Sequence, residues 1–183
     1  AIQTLKEVHT IVFDKTGTIT KGQPEVTDLI AYGDYSQDEL LQMAATVEAG
    51  SEHPLGEAIV KRAKEKGMEL EKTSGFEAIT GKGVKATIGD KDLLVGSRRL
   101  MNEVGIEVKE ALNEMERLEH EAKTAMLVGI DGKLMGIVAV ADALKEDSVA
   151  AIRELRELGL ETAMITGDNQ RTAEAIAREV GID

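Results

Sequence analysis

The chain has 183 residues, of which 42% are hydrophobic, and this is enough apolar material for one sizeable folded domain or two small ones. Its formal net charge of -12 would repel nucleic acid and anionic membrane surfaces over most of the protein, so we expect no nucleic-acid partner. The absence of cysteine excludes disulfides and thiolate metal sites.

The first predicted element is a short buried strand over residues 9–13, which ends at Asp14. Apolar residues then recur at helical spacing over residues 37–48, after Ser36 as a helix N-cap, and over residues 54–66, where a proline begins the helix. Short apolar runs separated by glycine-containing turns come next, a pattern typical of antiparallel hairpins. These predicted strands cover residues 76–79, 84–88 and 93–95.

The next part of the chain predicts a helix followed by a hairpin. The helix is predicted over residues 108–118, and the charge-rich segment 109–123 is interpreted as its solvated face. The dipeptide Asp131-Gly132 is a strong short hairpin signal, because both residues tolerate the backbone of a tight turn. The strands predicted on its two sides cover residues 124–130 and 133–140.

The last part of the chain alternates helix, strand and helix, which is typical of a parallel, doubly wound sheet. We therefore expect an α/β protein in which a doubly wound parallel sheet is interrupted by an inserted α+β domain containing an antiparallel sheet. The last predicted elements cover residues 146–158, 161–165 and 170–180. The simplest division places residues 1–28 and 139–183 in one domain and residues 29–138 in the inserted one.

Two polar loops follow predicted strands, one beginning at Asp14 and the other spelling T-G-D-N at residues 166–169. Because the carboxyl ends of parallel strands meet at one edge of a sheet, both loops can face the same crevice. Their amides, with the hydroxyls of Thr16 and Thr166, suit a phosphoryl group, and Asp14 is then a candidate nucleophile that forms an aspartyl phosphate. On position alone, however, Asp14 reads as a turn residue that closes a strand.

The residues of these loops carry a family resemblance. D-K-T-G-T-I-T at residues 14–20 and T-G-D-N at residues 166–169 resemble the phosphorylation-domain motifs of P-type ATPases, members of the haloacid-dehalogenase-like superfamily. S-E-H-P-L at residues 51–55 resembles the nucleotide-binding domain of the heavy-metal-transporting subclass. The resemblance covers essentially the whole chain and implies the cytoplasmic, ATP-hydrolysing part of an integral membrane pump. Among the transported metals it favours Cu⁺.

The resemblance also implies a role for individual residues. It implies that Asp14 takes the γ-phosphoryl group of ATP, that Lys15 lies near the phosphates, and that Mg²⁺ is held by Asp14 and the backbone carbonyl of Thr16. The residues implied to hold the phosphoryl group are Thr166, Gly167 and Asp168. The residues implied to bind ATP in the inserted domain are Glu48, His53, Gly81, Gly83 and Gly96.

The sequence departs from the family pattern in two places. Asp142 and Lys145 match a hinge-side motif, but Ala143 stands where the family often has proline. The family's phosphorylation domain also continues to a lysine and a Gly-Asp-Gly-x-Asn-Asp loop that completes the Mg²⁺ site, and this sequence contains neither after its T-G-D-N helix. We therefore expect this chain to bind ATP but to phosphorylate itself poorly, and to have the membrane, actuator and metal-binding domains of a larger polypeptide as partners.

Other interpretations of the same residues stay open. His53 also reads as an ordinary capping histidine, and Gly81 and Gly83 as two turn glycines of a hairpin. A stand-alone phosphatase of the same superfamily with a cap domain is the main alternative function, although such enzymes usually have a second Asp where Thr16 stands, and a threonine hydroxyl cannot act as general base near pH 7. A third reading is a nucleotide-binding or regulatory module without catalysis.

Overall fold

The computed structural model describes residues 8–182. Residues 1–7 and 183, at which the predicted first and last domain segments begin and end, lie outside the described part. The elements of the first half are β1 (Thr10–Asp14), one irregular helical turn (Lys15–Ile19), β2 (Thr20–Ala31), α1 (Gln37–Glu48), α2 (Pro54–Glu65), β3 (Ser74–Ile79), β4 (Gly83–Ile88) and β5 (Lys91–Gly96). They are followed by α3 (Arg98–Glu103), a 3₁₀ turn (Lys109–Ala111), α4 (Leu112–His120), β6 (Thr124–Ile130), β7 (Lys133–Leu144), α5 (Ser148–Glu157), β8 (Glu161–Ile165) and α6 (Gln170–Val180).

The strands form two sheets. Strands β1 and β8 pair in parallel, with Thr10 opposite Glu161 and Asp14 opposite Ile165. The other six strands form an antiparallel sheet in the order β2-β7-β6-β5-β4-β3. A parallel sheet whose two strands lie far apart in the chain, with an antiparallel sheet between them, confirms the predicted fold class.

The helices begin and end where local side chains satisfy the backbone. The side chain of Ser36 accepts the Glu39 amide and the Glu39 carboxylate accepts the Ser36 amide, so a complete capping box starts α1. Helix α2 begins with Pro54 after His53 as N-cap, and Gly67 follows its end with φ of +72°, a backbone angle that favours glycine. These local signals explain why both helices fall where the sequence predicts them.

Three buried apolar clusters hold the sheets and helices together. Successive residues of the central strands alternate between two clusters, one packed under α1 and α2 and the other under α3 and α4, so the six-stranded sheet is covered on both faces. The third cluster is much smaller and lies around the parallel pair with α5 and α6. Its buried members are Ile19, Ile152, Val180 and Ile182.

Two elements were missed from the sequence, β2 and α3. Strand β2 contains Gly22 and Pro24, which interrupt a strand pattern, and its pairing with β7 is irregular between Thr20 and Pro24 and again between Val26 and Asp28. The domain boundaries predicted near residues 28 and 138 fall within these two paired strands. We therefore propose that the β2–β7 pair is the connection between the inserted region and the parallel sheet.

Candidate functional site: the loops at Asp14 and Asp168

Asp14 lies at the carboxyl end of β1, directly opposite Ile165 at the carboxyl end of β8. The two polar loops that follow these strands therefore start side by side, as the sequence predicted. Asp14 is exposed, and its Oδ1 accepts the amide of Thr16 at 3.2 Å, which orients the carboxylate above the turn. Gly17 within this turn has φ of +76°, a left-handed conformation that the turn requires.

Lys15 joins the two loops. Its Nζ lies 2.6 Å from Oδ2 of Asp168, and the two side chains are 13% and 7% exposed. Asp168 also accepts the hydroxyls of Thr166 at 2.7 Å and Thr124 at 2.9 Å. Burial alone would raise the pKa of Asp168, but these hydrogen bonds and the charge of Lys15 outweigh it and hold the pKa below its ordinary value. Asp168 is therefore an ionised, fully engaged carboxylate, whereas Asp14 faces solvent.

The loop of residues 166–169 is shaped by its own side chains. The Thr166 hydroxyl accepts the Asp168 amide at 3.1 Å and donates to the Asp168 carboxylate, so the two residues form a tight turn. Gly167 is exposed, and a Cβ added to it would meet no atom within 4 Å. Packing therefore does not require glycine at this position.

Asp142 and Lys145 form hydrogen bonds with the residues that follow Asp14 in the chain. The Asp142 carboxylate accepts the Thr20 hydroxyl at 2.6 Å and the amides of Gly22 and Gln23 at 3.0 Å each. Lys145 donates its Nζ to the carbonyl of Gly17 at 2.5 Å. The motif that the sequence placed beside the hinge thus fixes the chain that leaves the Asp14 turn, with Ala143 in place of proline.

Glu48, the last residue of α1, is a buried carboxyl with a raised pKa. It is 5% exposed, and burial raises its pKa to about 7 against a smaller lowering by a hydrogen bond with Ser51. Its Oε2 lies 2.3 Å from where a Cβ of Gly56 would be, so glycine in the first turn of α2 leaves room for this carboxyl. At neutral pH a large share of Glu48 is uncharged and able to donate a hydrogen bond.

His53 is the N-cap of α2. Its Nδ1 accepts the amide of Leu55 at 3.2 Å, so a neutral ring carries its proton on Nε2. The imidazole is exposed, and the capping role uses only Nδ1. The interpretation of His53 as a capping residue is confirmed. Its Nε2 takes no part in the capping hydrogen bond.

The three predicted binding glycines differ from one another. Gly83 and Gly96 are register partners in β4 and β5, and a Cβ on Gly83 would lie 2.2 Å from the carbonyl of Val95 and 2.6 Å from Cα of Gly96. Both are therefore required by the close approach of two backbones, a reason that the sequence did not reveal. Gly81 has φ of +69° in the turn before β4, and a Cβ there would meet no atom within 4 Å.

The structure brings the predicted binding residues together in part. Glu48 and His53 lie on the connection between α1 and α2, while Gly81, Gly83 and Gly96 lie on neighbouring strands and turns. The ring of Phe76 in β3 packs against the connection between α1 and α2, because it lies within 3.0 Å of where a Cβ of Gly50 would be, and Ile79 of the same strand pairs with Gly83. The half-exposed ring of Phe76 is an aromatic surface in this region that the sequence did not single out.

The solvated-face interpretation of residues 109–123 is wrong for Glu119. This carboxylate is 4% exposed and accepts hydrogen bonds from Arg98 at 2.8 Å and Arg171 at 3.2 Å. A buried charge needs such partners, because it loses its hydration when it is buried. The partners lie 21 and 52 residues away in the chain, so helical charge patterning gave no signal of them.

The oxygen atoms of Asp14 and Thr16 are suitable ligands for part of a Mg²⁺ site. A carboxylate and a backbone carbonyl are oxygen donors, and Mg²⁺ commonly takes one or two carboxylates together with substrate phosphate oxygens and water. Over residues 8–182 no cluster of three or more His, Cys, Asp or Glu side chains is arranged to hold a metal. Asp14 and Thr16 therefore fit one part of a Mg²⁺ site to which a phosphate would contribute the rest.

Comparison with known proteins places this crevice in a family. Residues 8–183 match the family model of the haloacid dehalogenase-like hydrolases, so the chain belongs to that family. Within it, the chain is 53% identical to a copper-exporting P-type ATPase of Bacillus subtilis, over 97% of this chain and 23% of the relative. The chain thus spans less than a quarter of the length of this curated relative.

Solved structures agree with this assignment. The chain matches a zinc-transporting PIB-type ATPase with a TM-score of 0.73 and 34% identity, covering 100% of this chain and 30% of the other. It matches the catalytic domain of a CPx-ATPase with a TM-score of 0.69 and 28% identity, covering 100% of this chain and 63% of the other. The predicted resemblance to the cytosolic domains of heavy-metal P-type ATPases is confirmed. None of the helices within residues 8–182 has the length and apolar character to cross a membrane.

Proposed function

We propose that this chain is the ATP-binding and phosphorylation part of a heavy-metal cation pump, with Cu⁺ as the transported ion. The observation that carries the proposal is the crevice itself, in which exposed Asp14 lies beside the Lys15–Asp168 pair at the carboxyl ends of two parallel strands. The names of the curated relatives support copper as cargo. In this proposal the chain is a cytoplasmic domain whose partners are ATP and the membrane, actuator and metal-binding domains of the same polypeptide.

In the proposed reaction Asp14 is the nucleophile. A carboxylate oxygen of Asp14 forms a bond to the γ-phosphorus, the bond from that phosphorus to the β–γ bridging oxygen breaks, and ADP leaves with the electron pair. Lys15 follows Asp14 in the chain and its Nζ is held by Asp168, and in this proposal its positive charge stabilises the negative charge that develops on the phosphoryl group. When bound, Mg²⁺ supplies charge neutralisation to the phosphate oxygens through Asp14 and Thr16.

Thr16 favours a phosphoenzyme that persists. A threonine hydroxyl cannot take a proton from water near pH 7, so residue 16 does not activate water against the acyl phosphate. A pump requires this delay, because the phosphorylated state must outlast a conformational change. A stand-alone phosphatase would require the opposite.

Glu48 and His53 are the side chains that we propose for the nucleoside. The neutral form of Glu48 both donates and accepts hydrogen bonds, as the edge of an adenine ring requires, and His53 offers Nε2. The acidic chain repels a polyphosphate, so the affinity must come from such local contacts and from the accompanying cation.

An ATP titration by calorimetry tests this binding site. We expect His53→Gln and Glu48→Leu to weaken ATP binding at least about tenfold, the size of a lost hydrogen bond to a buried or charged group. Asp14→Asn should keep the affinity, since the proposed nucleoside contacts lie elsewhere. His120→Gln, at another exposed histidine on a helix, is the matched control and should change nothing. Unchanged affinity in both His53→Gln and Glu48→Leu would remove the proposed nucleoside site.

A further inference from the structure

The carboxylate of Asp168 is held from two different parts of the chain. Its Oδ2 accepts Lys15 Nζ at 2.6 Å and the Thr166 hydroxyl at 2.7 Å, both from the crevice loops. Its Oδ1 accepts the Thr124 hydroxyl at 2.9 Å. Thr124 lies 44 residues before Asp168 and is the first residue of β6 in the six-stranded sheet. The inserted region therefore supplies a hydrogen bond to the centre of the crevice.

The position of Thr124 is fixed by its backbone. Thr124 pairs with Val140 of β7 at the end of the sheet. The carbonyl of the preceding Lys123 accepts the hydroxyl of Thr172 at 3.0 Å, and Thr172 is 1% exposed. The hydroxyl of Thr124 is thus presented to Asp168 by a strand that is held on both sides.

Glu119, near the end of α4, makes a second set of contacts between the inserted region and the loop and helix that follow β8. Its buried carboxylate accepts Arg98 from the inserted region and Arg171 from the first turn of α6, three residues after Asp168. Removing either arginine would leave the buried Glu119 carboxylate with one fewer positively charged partner, which would cost stability. The segment from Glu119 to Thr124 and the segment from Asp168 to Thr172 therefore meet at several polar contacts that keep them in register.

We propose that Thr124 is a positioning residue for phosphoryl transfer: its hydroxyl, presented by the inserted region, fixes the Asp168 carboxylate and through it the ammonium of Lys15, the residue that follows Asp14. This inference rests on the proposed function of the crevice. Without the hydroxyl, Oδ1 of Asp168 loses its partner, and only the two bonds to Oδ2 then oppose rotation of the carboxylate about its Cβ–Cγ bond, so Lys15 is held less firmly in its place. The crevice is then complete only while the inserted region is seated against it.

The test compares two substitutions at one position in the intact pump polypeptide that carries this chain. Thr124→Val keeps the size and branching but removes the hydroxyl, whereas Thr124→Ser keeps the hydroxyl. The rate of phosphoenzyme formation is measured with ATP labelled with ³²P at the γ-phosphate, and ATP affinity is measured in the same preparation. We expect Thr124→Val to form phosphoenzyme about tenfold more slowly, the effect of losing one hydrogen bond to a charged group. ATP affinity should stay within about twofold, because Thr124 acts on the reacting geometry.

Thr162→Val is the matched control. Thr162 lies on β8 and is 6% exposed, and its buried hydroxyl has no hydrogen-bond partner in the described structure, so this variant should form phosphoenzyme at the wild-type rate. Thr124→Ser should also restore most of the rate. A wild-type rate in Thr124→Val, or an equal loss in Thr124→Ser, would overturn the proposal. Labelling that survives Asp14→Asn would instead contradict the proposed function, so the two failures are distinguishable.

Discussion

The inserted region and the Asp14 crevice are held together by different kinds of contact. The six-stranded sheet is covered on both faces by large apolar clusters, whereas the parallel pair β1–β8 has one small cluster. The loops that follow its two strands depend on polar contacts such as Lys15–Asp168 and Thr166–Asp168. We infer that the inserted region carries most of the folding free energy, and that the crevice obtains its geometry from hydrogen bonds, one of them donated by the insertion.

The same contrast appears in two buried carboxyls. Glu48 in the insertion has one hydroxyl partner and a pKa that burial raises to about 7. Asp168 in the crevice is also pushed upward by burial, but Lys15, Thr166 and Thr124 outweigh that and hold its pKa below the ordinary value. One carboxyl is adapted to be neutral near physiological pH and the other to be charged, so each region sets the protonation state by the number of donors that it supplies.

The largest effect on stability should come from the close backbone approach in the insertion. Replacing Gly83 by alanine places a Cβ 2.2 Å from the carbonyl of Val95 at φ of +149°, and we expect a loss of roughly 3 kcal/mol in the free energy of unfolding. Gly81→Ala is the matched control, because its Cβ meets no atom and only the φ of +69° opposes it, at roughly 1 kcal/mol. Urea unfolding followed by circular dichroism measures both, and equal losses would contradict the distinction.

Gly83 and Gly81 differ as positions at which to probe the proposed nucleotide site. A bulky residue at Gly83 would disturb the pairing of β4 with β5 whether or not ATP binds there. Gly81 has open space beside it, so a substitution there tests ligand approach with less damage to the fold. Glu48 and His53 remain the sharper probes, since their side chains have defined partners.

An effect of at most similar size is expected from pH. The folded state keeps a proton on Glu48 up to a pKa of about 7, whereas the unfolded chain releases it near 4.5, so the folded state binds more protons in this window and stability falls as pH rises through it. The fall attributable to Glu48 is at most about 3 kcal/mol. Asp168 affects stability in the opposite direction, because its pKa is lower in the folded chain than in the unfolded chain. Its stabilising contribution is present above the unfolded pKa and is lost only on strong acidification.

Urea midpoints between pH 5 and pH 8 measure this difference. Glu48→Gln should have a flatter pH profile than the parent chain, so that its relative stability improves as pH rises. His120→Gln, a substitution at an exposed side chain, serves as the control. Parallel profiles for Glu48→Gln and the parent chain would show that the Glu48 pKa is not raised in the fold.

The sequence predicted the helix ends and turns that are determined by residues a few positions apart. The capping residue Ser36, the helix-opening Pro54 and the Asp131-Gly132 turn each act within a few residues, and the elements that they bound were predicted closely. The two polar loops could be placed together because parallel strands end at one edge of a sheet. The proposed roles of Asp14 and its neighbours came from the family resemblance and remain to be tested.

The remaining features depend on partners distant in the chain. Glu119 looked like one more charge on a helix surface, but Arg98 and Arg171 bury it. The need for glycine at Gly83 comes from the backbone of the next strand, and Thr124 gave no sign of its bond to Asp168. Such contacts are set by how the sheets and helices pack, which a pattern within a single segment does not encode.

The most direct test of the account is whether Asp14 becomes phosphorylated. The intact polypeptide that carries this chain is incubated with Mg²⁺ and ATP labelled with ³²P at the γ-phosphate, quenched with acid and separated on an acidic denaturing gel. We expect a labelled band that hydroxylamine removes, as it does an acyl phosphate, and a loss of roughly a hundredfold or more in Asp14→Asn with ATP binding retained. Equal labelling of Asp14→Asn, or a label that resists hydroxylamine, would contradict the assignment of Asp14 as the nucleophile.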